Sequence, residues 1–191
     1  MLSPPLYRSF MEQKTKFFSA KRIALIGIMT ALAYALTWLK IPMLLPFLKL
    51  DFSFAVMLLA GYMLGPLSAE IMVIVVHILG LIGSDAFGIG EIANFIMANV
   101  FVVLPTLIYK YKKGFKWVIL VLSICSVVEI FAALLTNRFI TYPLYFGVEA
   151  KAQFELHFWL LLLFNGIKCV ANGTVTVLLY KRLKNLLGKF I

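Results

Sequence analysis

Six apolar runs, at residues 23–39, 54–64, 67–82, 92–109, 117–135 and 157–180, constrain this chain more than any other feature. In lipid, backbone N–H and C=O groups have no water to bond and must be satisfied within helices or a closed barrel. Runs of this size read as helical spans at roughly 20 residues each. The second and third are short and meet at Gly65-Pro66, which reads as a tight helical hairpin. Composition agrees: 63% of the 191 residues are hydrophobic and 14% charged, whereas a soluble domain is about 25% charged. The expected fold is an all-α integral membrane protein with six transmembrane helices. Residues 20–191 form one membrane domain, and residues 1–19 a short cytoplasmic or interfacial arm.

The net charge of +10 reads as a positive-inside bias rather than a nucleic-acid partner. Thirteen of the eighteen Lys and Arg residues lie before the first run, just after the fourth or in the tail. Both termini are therefore expected in the cytoplasm. The segment 1–16 is too polar for a secretory leader core. Cys125 and Cys169 lie in apolar runs without metal-ligand spacing and read as packing residues.

After the first run comes Ile41-Pro42-Met43-Leu44-Leu45-Pro46-Phe47-Leu48, apolar but interrupted by two prolines. Proline removes a donor and fixes φ, so a regular helix is excluded. Apolar irregular backbone at the membrane must pack on protein or cover a cavity. Pro42, Met43, Leu44, Leu45, Pro46 and Phe47 are thus the expected extracellular lid, an irregular loop.

Motifs for catalysis are missing from the sequence. It has no G-x-x-x-x-G-K-[ST] phosphate loop and no H-E-x-x-H, and its two histidines, His77 and His157, are far apart. The chain is expected to be no enzyme and to hold neither metal nor cofactor. Instead, Phe164-Asn165-Gly166-Ile167-Lys168 places an amide and an ammonium deep in the last run. A charge at mid-bilayer costs at least ~2.5–3.5 kcal/mol and marks a functional position by default. Lys168 has two readings: half of a buried pair with Glu129, or a ligand donor. Polar residues gather at one depth: Asp51, Glu91, Asn94, Asn137, Asn165 and Lys168, with His77 in the third run as a pocket or packing residue. A few placed polar groups among apolar and aromatic ones are what a small-molecule pocket needs. Tyr142 and Tyr145 supply faces on which a planar ring stacks. Gly27, Ala31 and Ala35 share one face of the first run, where a second membrane helix, internal or from a partner, can approach closely.

Several ordered segments resemble the S components of energy-coupling factor (ECF) vitamin transporters. Lys49-Leu50-Asp51-Phe52-Ser53 and the Ala60-Gly61 to Gly65-Pro66-Leu67 stretch match that pattern. Gly90-Glu91-Ile92-Ala93-Asn94-Phe95, Asn137-Arg138-Phe139, Pro143-Leu144-Tyr145 and Phe164-Asn165-Gly166-Ile167-Lys168 are similar to segments of the riboflavin-specific branch. Two positions depart: Val76-His77 stands where that branch often has Lys-Asn, and Arg138 where an aromatic is usual. The resemblance implies a prokaryotic cell-membrane protein that captures riboflavin or a related flavin outside. It implies docking on a transmembrane coupling subunit driven by two ATPases. Asn137, Asn165 and Lys168 would bond the flavin, the lid would close over it, and Ala31 and Ala35 would face the coupling subunit. An S component for another vitamin, or a solitary carrier, are the other readings.

Overall fold

A computed structural model describes residues 19–84 and 88–187. The arm expected over 1–19 lies outside the described residues except for Ser19. Helix α1 (Ala20–Trp38) packs on the next two helices through the buried Ile26, Thr30 and Ala33. Its opposite face, with Gly27, Ala31 and Ala35, is exposed.

The expected irregular lid is instead an antiparallel hairpin of β1 (Ile41–Met43) and β2 (Leu45–Leu50). Ile41 pairs with Leu50 and Pro42 with Lys49, and the register slips between Pro42 and Met43. Both strands of a two-stranded ribbon are edges, where a residue lacking an N–H is tolerated. Leu48 and Leu50, two apart and so on one face, are buried against Tyr142, Phe154 and Phe164. That packing holds the ribbon to the bundle.

Helix α2 (Ser53–Leu64) is the centre of the molecule, with eleven of its twelve residues buried. Asp51 starts it: Oδ1 accepts from the Ser53 N–H at 2.8 Å and from the Ser53 hydroxyl. Gly65 ends it at φ 89°, a region costly for other residues, and Pro66 opens α3 (Pro66–Ile82). The hairpin read from Gly65-Pro66 is present. Arg22 of α1 clamps this turn, donating to Leu64 O and, at 3.4 Å, to Ser68 Oγ.

Helix α4 (Ile89–Ala98), a π-helical turn (Asn99–Val103) and α5 (Leu104–Tyr111) form one rod. A second π turn (Asn137–Thr141) joins α6 (Phe115–Thr136) to α7 (Tyr142–Phe146). Each π turn begins at an asparagine and is followed two residues later by a proline, Pro105 or Pro143. Proline clashes with the carbonyl four residues back, and a wider turn relieves the clash without ending the helix. Hence the stretch between the fifth and sixth apolar runs, 136–156, is helical almost throughout, passing through a 3₁₀ turn (Gly147–Glu149) into α8 (Ala150–Leu187). The chain reverses there, because α6 and α8 pack side by side, with Gly147 at φ 53°.

The fold is predominantly helical. Among the described residues, three helical stretches are long and apolar enough to cross a membrane: Ala20–Trp38, Ile89–Tyr111 and the continuous Phe115–Arg182. The last contains α6 and most of α8. Helices α2 and α3 are apolar but shorter.

Candidate functional site

A cavity of about 330 Å³ lies beneath the hairpin. Pro46, Phe47, Leu48 and Lys49 roof it. Glu91, Asn94 and Met97 of α4 line one side, and Asn137 and Thr141 of the π turn another. Phe164 and Asn165 of α8, with Asp51 and Tyr145, complete the wall. The volume lies at the lower end of the small-molecule range.

Local backbone chemistry fixes the two central amides. Asn137 Nδ2 donates to Ala133 O and Asn165 Nδ2 to Leu161 O, each at 2.8 Å. Each amide is thus tethered to its own helix through one N–H. A carbonyl oxygen and a second N–H remain on each for a ligand. The π turn that begins at Asn137 also carries Thr141, whose buried hydroxyl has no partner among the described residues.

Lys168 stands behind the wall. It is 2% exposed, and its Nζ donates to Asn94 Oδ1 at 2.7 Å and lies 4.3 Å from the Phe54 ring centroid. Among the described residues no ion pair joins it to Glu129, whose Oε2 instead accepts from Cys169 Sγ at 3.0 Å. Lys168 therefore reaches the cavity through Asn94. An ammonium only donates, so Asn94 must turn its oxygen to Lys168.

Glu91 sits at the rim, its Oε1 3.4 Å from Lys40 Nζ. A Cβ on Gly80 would come within 2.7 Å of the Glu91 carboxylate, so any side chain there would push that carboxylate aside.

Asp51, Glu91, Asn94, Asn137, Asn165 and Tyr145 come together on the cavity. His77 does not: its Nδ1 donates to Val73 O at 2.7 Å, and its ring packs between Phe54 and Phe95. Tyr142 also lies off the wall, fully buried against Phe47, Phe146 and Phe154. Arg138 lies over Phe139 and Phe154, 5.8 and 5.7 Å from their centroids. Both departures from the riboflavin-branch pattern thus fall outside the cavity wall. Sequence reasoning missed Lys40, Met97 and Thr141 on the wall, and Asn172 beneath it. Asn172 Oδ1 accepts from Ala55 N at 3.0 Å and its Nδ2 donates to Asp51 O at 2.9 Å, tying α8 to the start of α2. The signal for Asn172 was present, since Asn165, Lys168 and Asn172 recur at helical spacing.

A roofed cavity with a few anchored polar groups, set in an apolar helical bundle, defines a membrane protein that binds a small molecule. Residues 21–180 match the family "ECF transporter, substrate-specific component", and the chain belongs to that family. It is 33% identical over 185 residues to the riboflavin transporter RibU of Staphylococcus aureus (strain TCH60), covering 93% of this chain and 98% of that one. A solved structure of the S component of a bacterial ECF transporter superposes with a TM-score of 0.75 at 34% identity. That alignment covers 87% of this chain and 97% of that one.

Proposed function

We propose that this protein is the riboflavin-binding S component of an ECF-type importer. The observation that carries the reading is the pair of tethered amides, Asn137 and Asn165, facing one cavity under the hairpin roof. A flavin's pyrimidine edge alternates acceptors and a donor. Two amides with a free oxygen and a free N–H each complement that edge, as does Asn94, held by Lys168 so that its N–H groups point away from the ammonium. Phe47, Phe164 and Tyr145 offer faces for the fused rings. The likeness to a riboflavin transporter over nearly the whole chain supports the same ligand.

In this reading the bundle crosses a prokaryotic cell membrane six times, with α2 and α3 as the short spans and both termini cytoplasmic. The cavity then opens outward. The protein carries no cofactor and does no chemistry of its own. A coupling subunit docks on the exposed Gly27, Ala31 and Ala35 face of α1, and two ATPase subunits supply the energy.

Titrating the detergent-purified protein with riboflavin should quench flavin fluorescence with stoichiometric saturation. No quenching at micromolar ligand would refute the flavin assignment. Liposomes holding this chain alone should bind riboflavin without accumulating it; accumulation without partners would mark a solitary carrier.

A further inference from the structure

The hairpin roof is fastened at its two roots by different forces. Where β2 runs into α2, Leu48 and Leu50 are buried with Tyr142 and Phe154, and Asn172 ties the following Asp51 to α8. Where α1 runs into β1, Leu39 and Ile41 are 68% and 50% exposed. Lys40, between them, reaches across to α4, and its Nζ donates to Glu91 Oε1 at 3.4 Å. Apolar packing holds one root whatever the salt; an ion pair at the other is screened by salt and can part and re-form.

Two further observations give that pair a place and a seat. A second cavity, of about 310 Å³, is bounded by Trp38, Pro42, Gly80 and Gly83, and Lys40 and Lys49 line both it and the ligand cavity. Lys40 therefore stands at the partition between the two. Glu91 is held from the other side by a notch in α3 at Gly80, where a Cβ would lie 2.7 Å from Oε2 and 2.8 Å from Cδ. Gly80 lies within α3, where alanine is the better helix former. The helix does not require glycine at that point; the carboxylate does. With Oε2 in the notch, Oε1 faces Lys40.

We propose that Lys40 and Glu91, seated by Gly80, form an ionic latch between the two cavities that holds down the β1 root of the hairpin and slows ligand release. While the pair is closed, the hairpin is fastened at both roots and the ligand cavity is separate from its neighbour. When it parts, the β1 root can lift and the cavities join, opening a side exit for a bound molecule. This inference rests on the flavin-binding reading.

The test is the rate of riboflavin release from the detergent-purified protein, followed by stopped-flow fluorescence. Lys40→Met and Glu91→Gln should each speed release roughly threefold to fivefold, as befits a partly exposed ion pair. The double variant should release no faster than either alone. The readout is the effect of Glu91→Gln in the parent divided by its effect beside Lys40→Met. Gly80→Ala, which alters neither charge, should also speed release, by about twofold or more. Raising NaCl from about 50 to about 500 mM should speed release from the parent and leave Lys40→Met unchanged. A purely structural role would not give that response. A ratio above about 2, faster release from Gly80→Ala and the salt response together support the latch, and the absence of any one overturns it. A ratio near 1 would mean that Glu91 acts on the ligand directly. Should Glu91→Gln not fold, Gly80→Ala takes its place in the cycle with the same threshold. A parent that does not bind riboflavin refutes the flavin reading and the latch together. A parent that binds but fails these tests refutes the latch alone.

Discussion

The two ends of the bundle handle polar side chains in opposite ways. At the cavity end, Asn137 and Asn165 each spend one N–H on their own helix and keep the rest of the amide for something else. At the far end, Tyr62, Tyr109 and Tyr180 close on one another, with Tyr62 and Tyr109 centroids 4.8 Å apart and Tyr62 and Tyr180 5.8 Å apart. Tyr109 and Tyr180 share a hydrogen bond of 2.8 Å between hydroxyls, and Phe115 stacks on Tyr180. One face of α8 runs through both regions: Asn165, Lys168, Asn172, Thr176 and Tyr180 are all buried. Partial satisfaction beside a cavity leaves hydrogen-bonding capacity for a ligand; close ring packing leaves no room for one and seals the end. An importer subunit that takes its cargo from one side requires this asymmetry.

Breaking the sealed end should cost the most. Tyr62→Ala removes the central ring and is expected to lower stability by about 3–5 kcal/mol. It should leave riboflavin affinity unchanged in whatever protein remains folded. Thermal unfolding in detergent, run beside a flavin titration, separates the two effects.

At the cavity end the pattern inverts. Asn165→Ala should lower riboflavin affinity by about 1–3 kcal/mol, a roughly fivefold to 150-fold rise in Kd, while the unbound protein melts nearly as before. Loss of melting temperature without loss of affinity would show that the amide serves the helix alone.

The roof should show itself in rates. Phe47 touches Tyr142, Tyr145 and Phe146 at centroid separations of 6.1–6.4 Å. Phe47→Ala should loosen the hairpin and speed riboflavin release severalfold in stopped-flow fluorescence, affecting dissociation more than association. An unchanged release rate would mean that the hairpin does not gate the cavity.

Tyr62→Phe should have the smallest effect and the opposite sign. The Tyr62 hydroxyl is buried with no partner among the described residues, so deleting it should leave melting temperature equal or slightly higher, within about 1 kcal/mol. Set beside Tyr62→Ala, it tests whether the far end is held by rings rather than by polar bonds.

Much of this contrast was legible in residue order. Asn165 and Lys168, three apart, announced polar groups deep in a membrane helix, and the resemblance to S components picked out Asn137 from the opposite side. Partners were not legible. Lys168 meets Asn94 across 74 positions of chain, whereas the pairing raised from residue types alone was with Glu129. His77 and Tyr142 have the right chemistry for a pocket but turn into aromatic packing. Rotamer and neighbour decide that, and neither is written in a helical period.

By itself, the sequence determined the membrane class, the Gly65-Pro66 hairpin, the family and the set of polar residues that gather near one depth. These follow from hydrophobic transfer, from backbone geometry available to glycine and proline, and from spacing along a helix, all of which are local. Only the tertiary structure decided that the proline-broken lid is a paired ribbon and that the stretch after α6 stays helical through a π turn. It also decided that Lys168 stands behind the wall, bonded to Asn94. Each of these depends on which distant groups come into contact: Leu48 and Leu50 find the Tyr142 cluster, and an ammonium finds the amide oxygen of Asn94.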